Sequence, residues 1–135
     1  MAMMKAELFW LTLTAVLTGL MFVPYMLDRM AVRGVMDVMD NPSPRGKPQS
    51  SWAVRLMNAH INQVENLVVF GILVLVLDAL AISTPATVLA CAVFFWSRLA
   101  YVVIYTIGVP VLRTLAFTAG FLAEAALVLA IFRII

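Results

Sequence analysis

The sequence predicts an all-α fold, a four-helix bundle of an integral membrane protein, forming one domain over residues 1–135. Three observations lead there. The chain is 64% hydrophobic and 12% charged, with a mean hydropathy of +1.05. That leaves too little polar surface to clothe a soluble fold of this size. The apolar residues gather into four long runs, each sufficient to cross the hydrocarbon core of a bilayer, which needs about 20 residues as a helix. Between the runs stand proline-containing breaks, Asn41-Pro-Ser-Pro44, Ser83-Thr-Pro85 and Gly108-Val-Pro110, where a helix stops.

The first run, Leu8–Leu27, carries no charge, and Pro24 is expected to kink its last turns. Lys5 ahead of an apolar run also fits a signal peptide. The run is long for that role and no small-x-small cleavage site follows, so it reads as an uncleaved span. Asp28–Ser51 is the one sizeable loop, although Arg29–Met39 can extend the first helix beyond the bilayer. Asp37, Asp40, Arg45 and Lys47 read as a solvated hinge. The second helix is expected over Trp52–Ile82, the third over Ala86–Ile107 and the fourth over Val111–Phe132. Four spans place both termini on one side. The excess of arginine and lysine in the 28–51 loop puts that loop in the cytoplasm and the termini opposite.

Several function classes drop out on composition. A single histidine and a single cysteine exclude an internal disulfide and leave no ligand set for a metal site. Cys91, in an apolar stretch, reads as a small packing residue. A net charge of +2, scattered along the chain, does not suggest nucleic acid. No phosphate-binding, dinucleotide or nucleophilic-serine motif is present.

What stands out is Asn58-Ala-His-Ile-Asn-Gln-Val-Glu-Asn66, a polar stretch in the first half of the second span. Polar and ionisable groups in a membrane helix are costly unless they face protein, ligand or water. At 100° per residue, Arg55, Asn58, Asn62, Glu65 and Asn66 share a broad face, with His60 on its flank, about 140° from Arg55. On the third span Arg98, Tyr101 and Tyr105 share a face, and on the fourth so do Arg113, Phe117, Gly120 and Glu124. Arg55 and Arg113 lie near the loop side. Arg98 lies about 13 Å deep and Glu65 and Glu124 about 19 Å deep, at a rise of about 1.5 Å per residue. These groups therefore converge in one half of the bundle. Arg98 needs a partner, which Glu65 or Glu124 can supply. A purely structural ion pair and a ligand contact are both open for it. Arginines, amides and tyrosines together suit a small polar anion. With no catalytic triad or metal set, a nucleophile has to arrive with the ligand, and a thiol whose thiolate is held by arginine fits. Lipid-facing walls then admit an apolar second substrate.

These same residues carry a family resemblance. Arg55 followed by Asn58–Asn66 resembles the second-helix signature of the MAPEG family, membrane-associated proteins in eicosanoid and glutathione metabolism. Arg98-Leu-Ala-Tyr-Val-Val-Ile-Tyr105 and Gly-Val-Pro-Val-Leu-Arg113 are similar to its third-to-fourth-helix region, and Arg33 with Asn41-Pro42 to its first loop. The resemblance implies a homotrimer binding glutathione between protomers, near the cytoplasmic face. It implies contacts from Arg33, His60, Asn62, Glu65, Arg98 and Tyr105. Arg55 and Tyr101 join the same polar set. Arg113 takes the place beside the glutathione sulfur, with Thr114 next to it. Thr114, Phe117, Pro44 and Ile61 depart from the prostaglandin synthase pattern, which favours glutathione binding in general over prostaglandin isomerisation. His60 serves a ligand or a neighbouring helix equally well. The expected function is a glutathione-dependent transferase or peroxidase, with detoxification of hydrophobic electrophiles or lipid-derived molecules. The alternative is a non-catalytic lipid-binding scaffold of the same family.

Overall fold

The computed structural model describes residues 3–135; Met1 and Ala2, included in the single-domain expectation, lie outside the described residues. The order is α1 (Ala6–Leu20), α2 (Phe22–Arg33), α3 (Val35–Met39), α4 (Ser51–Ala79), α5 (Pro85–Ile107) and α6 (Pro110–Ile131). There is no strand among the described residues. Four helical stretches are long and apolar enough to cross a membrane: Ala6–Arg33, Ser51–Ala79, Pro85–Ile107 and Pro110–Ile131.

The proline in the first stretch acts one turn upstream of itself. Pro24 has no N–H, and its ring crowds the carbonyl four residues back, that of Leu20. The helix steps at Met21, whose N–H reaches Thr18 O at 3.4 Å. Past the step the helix continues to Arg33, breaks at Gly34 and resumes as α3, so irregular chain is confined to Asp40–Ser50. Asp37 is ion-paired and half-buried: it accepts from Arg29 Nε at 3.0 Å and lies 3.9 Å from Arg33.

The other ends follow local chemistry. Thr84 caps α5 with a reciprocal Thr84–Thr87 capping box, and Pro85 occupies the first turn, where its missing N–H costs nothing. Gly108 closes α5 in the left-handed region at φ 87°, which a side chain disfavours. Pro110 starts α6.

Helix α5 is the hub and packs on α1, α4 and α6. Two apolar clusters bracket a polar layer. One contains Phe70, Val74, Leu77, Cys91, Phe94 and Leu127, with Phe70 and Phe94 stacked at 3.9 Å between ring centroids. Cys91 is fully buried there, as its apolar setting predicts. The other holds Met21, Leu56, Ala59, Tyr101 and Val102. Along α4 and α5, Gln63 and Arg98 fall between the two.

Candidate functional site

Arg98 is the largest fully buried side chain among the described residues, at 1% exposure. Its partners are amides. Nε donates to Gln63 Oε1 at 2.7 Å, and Nη2 donates to Asn62 Oδ1 at 2.7 Å. The expected ion pair with Glu65 or Glu124 does not form, because the only pairs within 4.0 Å among the described residues involve Lys5, Arg29 and Arg33. Glu65 is exposed on the outer side of α4, whereas Gln63, fully buried on the inner side, is turned toward α5. The α4 azimuth thus brings an amide, not a carboxylate, to the guanidinium.

A hydrogen-bonded chain runs on from there across three helices. Gln63 Nε2 donates to Thr18 Oγ1 at 3.1 Å, and Thr18 Oγ1 donates to Thr14 O at 2.7 Å. Asn66 Nδ2 braces Asn62 through its backbone carbonyl and its Oδ1, at 2.8 and 3.2 Å. Arg98 Nη1 is left over: buried, with no partner among the described residues.

From Arg98 a run of cations and rings leads to the start of α6. The Arg98 guanidinium lies 4.3 Å from the Tyr101 ring centroid, Tyr101 and Tyr105 meet edge to face at 5.6 Å, and Arg113 lies 4.3 Å over Tyr105. Such contacts are attractive because the ring face is electron-rich. Phe117 adds a further ring 6.2 Å from Tyr101. The shared faces read from the sequence on α5 and α6 are therefore the faces that meet. Thr114 is exposed, and its hydroxyl donates to Pro110 O at 3.3 Å.

The remaining expected site residues sit elsewhere. His60 Nδ1 bonds the Tyr25 hydroxyl at 2.9 Å, and both line an outer groove with Met57, Ile61, Val64 and Glu65. Arg55 Nε donates to Thr106 O at 2.9 Å and packs on Gly108, satisfying the carbonyl end of α5. Arg33 has partners in its own chain: Nε donates to Lys47 O, and Nη1 lies 3.9 Å from Asp37. The chain after α3 folds back over Arg33 to bring Lys47 O to it.

Three residues to which the sequence alone assigns no role hold the structure together. Gln63 is one, and its place within the polar stretch was its only signal. Glu7 is 3% exposed and accepts from Thr87 Oγ1 at 2.6 Å and Ser83 Oγ at 2.8 Å, tying α1 to the α5 cap. Asp28 accepts from the Ser50 N–H at 3.1 Å, the Ser50 hydroxyl and Gln49 Nε2 at 3.3 Å, placing a carboxylate at the N-terminus of α4. Each acid lies just outside the uncharged run that defined the first span.

A group of three or more histidine, cysteine or acidic side chains placed to hold a metal is absent among the described residues. Comparison with protein families gives a match of residues 8–133 to the model of the MAPEG family. No curated protein matches the chain.

Proposed function

The chain belongs to the MAPEG family and is a multi-pass membrane protein, and from that premise we propose that it is a glutathione-dependent transferase or peroxidase acting on hydrophobic electrophiles. The observation that carries this reading is the run Arg98–Tyr101–Tyr105–Arg113. It holds two guanidiniums with no carboxylate in ion-pair range, one of them with a buried N–H to spare. A buried donor without a partner calls for an acceptor, and an anionic carboxylate makes the strongest one. Glutathione brings two carboxylates and a thiol.

In this reading Arg98, with Asn62 and Gln63 fixing its orientation, holds a carboxylate. Arg113, partly exposed and oriented by Tyr105, stands beside the sulfur. A fixed positive charge favours the thiolate over the thiol by about 1–3 pK units. The thiolate then attacks an electrophilic carbon; the C–S bond forms as the leaving group departs with its electron pair. Tyr25, His60 and Glu65 open on the outer face of α2 and α4, and a neighbouring copy in a homotrimer is what would close this face and the run around one ligand. The 28–51 side is assigned to the cytoplasm, where glutathione is abundant.

The test is calorimetry of glutathione with detergent-purified wild type and Arg113→Ala, beside conjugation of glutathione to an aryl halide. Binding with conjugation in the wild type, and loss of conjugation in Arg113→Ala, is the expected pattern. Absence of both binding and conjugation in folded wild type refutes the proposal and leaves the lipid-binding scaffold.

A further inference from the structure

Of the polar side chains on the outer groove of α2 and α4, Tyr25 alone carries a hydroxyl, and the proposed reaction leaves that hydroxyl without a role. The groove measures about 370 Å³, and its walls include the apolar Met57, Ile61 and Val64. That volume lies within the usual span of small-molecule pockets, about 300–1,000 Å³. Tyr25 Oη stands 2.9 Å from His60 Nδ1, and the two rings lie 5.8 Å apart between centroids. The backbone of Tyr25 is fixed as well, because Gln49 Nε2 donates to Tyr25 O at 2.9 Å. A hydroxyl has one proton, and a neutral imidazole nitrogen either donates or accepts. In the Nδ1–H tautomer, His60 donates to Tyr25 Oη and leaves the phenol proton free to enter the groove.

Resting on the glutathione reading above, we infer that Tyr25, supported by His60, is the acid that protonates a departing oxygen. The second substrate is then an electrophile whose scission leaves an alkoxide, of which an epoxide is the simplest. The need for an acid comes from the leaving group. A halide departs as a stable anion. An alkoxide is a strong base, and apolar walls neither solvate it nor protonate it. When the glutathione thiolate attacks an epoxide carbon, the C–S bond forms as the C–O bond breaks, and the C–O electron pair stays on oxygen. That oxygen takes the Tyr25 proton and becomes a hydroxyl. A phenol is a stronger acid than an alcohol, so the transfer runs downhill. The phenolate left behind accepts from His60 Nδ1–H and regains its proton from solvent, so no further reactant is needed. Met57, Ile61 and Val64 take the carbon skeleton. A tyrosine–histidine contact that only joined α2 to α4 would need no opening to a cavity, whereas here both side chains line one.

The experiment measures glutathione conjugation to styrene oxide and to an aryl halide on the same detergent-purified protein and takes the ratio of the two rates. The ratio cancels any loss of glutathione binding, which both substrates share. A general acid contributes about 10²–10⁴-fold, so Tyr25→Phe is expected to lower the epoxide-to-halide ratio about 100-fold or more. His60→Asn, whose side-chain amide donates from the place of Nδ1, should keep most of the ratio, and His60→Phe should not. An unchanged ratio in Tyr25→Phe overturns the inference and leaves the pair as a joint between α2 and α4. So does a wild type that conjugates the halide but not the epoxide, with the glutathione reading intact. Absence of glutathione binding and of both conjugations overturns that reading and this inference together. Should Tyr25→Phe fail to fold, the histidine variants decide: a fall in His60→Phe with recovery in His60→Asn supports the proton donor, and equal ratios in the two refute it.

Discussion

Replacing Gln63 with leucine removes the joint between α1, α4 and α5 while keeping the side-chain volume close. Gln63 is fully buried, and so is the guanidinium it serves. The substitution deletes the 2.7 Å bond from Arg98 Nε and the 3.1 Å bond to Thr18 Oγ1. A hydrogen bond to a charged group contributes about 1.5–3 kcal/mol. A neutral interhelical bond in a membrane protein averages about 0.6 kcal/mol. Arg98 already has its Nη1 amino group unpaired and cannot turn to another acceptor without losing Asn62. Gln63→Leu is therefore expected to lose about 2–4 kcal/mol of stability, as the sum of those two terms. Reversible unfolding in a titration of denaturing detergent measures it, and Thr18→Val in a double-mutant cycle isolates the smaller term. Gln63→Glu probes function at the same point: a carboxylate beside Arg98 satisfies the cation internally, so glutathione affinity should fall about tenfold or more. A Gln63→Leu protein within about 0.5 kcal/mol of wild type, well under the charged-bond term, would show that Arg98 re-pairs freely and that the amide network is not what holds it.

Three further expectations follow from the same geometry. Arg113→Leu should leave glutathione affinity within a few-fold but abolish most turnover, with the residual rate rising between pH 7 and 9 as a free thiol of pKa about 8.5 ionises; an unchanged rate and pH profile would reduce Arg113 to a headgroup anchor. In Gly120→Ala the added carbon meets Ser97 Oγ at 3.1 Å and Arg98 Cδ at 3.5 Å. Ser97, held by a 2.8 Å bond to Phe94 O, must give by a few tenths of an ångström, at a cost of about 1–3 kcal/mol, read by the same unfolding titration; no loss would mean that α5 and α6 part easily there. Asp28→Ala frees the Ser50 N–H and both side chains that converge on the carboxylate, so amide exchange in the first turn of α4 should accelerate about tenfold, the equivalent of a cap of about 1.4 kcal/mol. Unchanged exchange would assign that end to water.

The spans and their breaks were legible because they are local. Twenty apolar residues specify a membrane helix wherever they occur. Pro85, Gly108 and Pro110 mark ends by fixing or freeing their own backbone. Faces were legible for the same reason: the helical period alone places Arg98, Tyr101 and Tyr105 in line, and Arg113 with Phe117, and these faces meet in the bundle. Partners were not legible. Whether Glu65 or Gln63 reaches Arg98 depends on how α4 is rotated about its axis relative to α5, and two residues of offset on α4 turn a side chain through about 200°. Arg33 finds Lys47 only because the loop folds back. Glu7 and Asp28 acquire meaning only when the ends of α1 and α2 meet the caps of α5 and α4. Sequence period determines which side chains share a helix face; the rotation and depth at which helices pack decide which of them touch, and that is a property of the whole bundle.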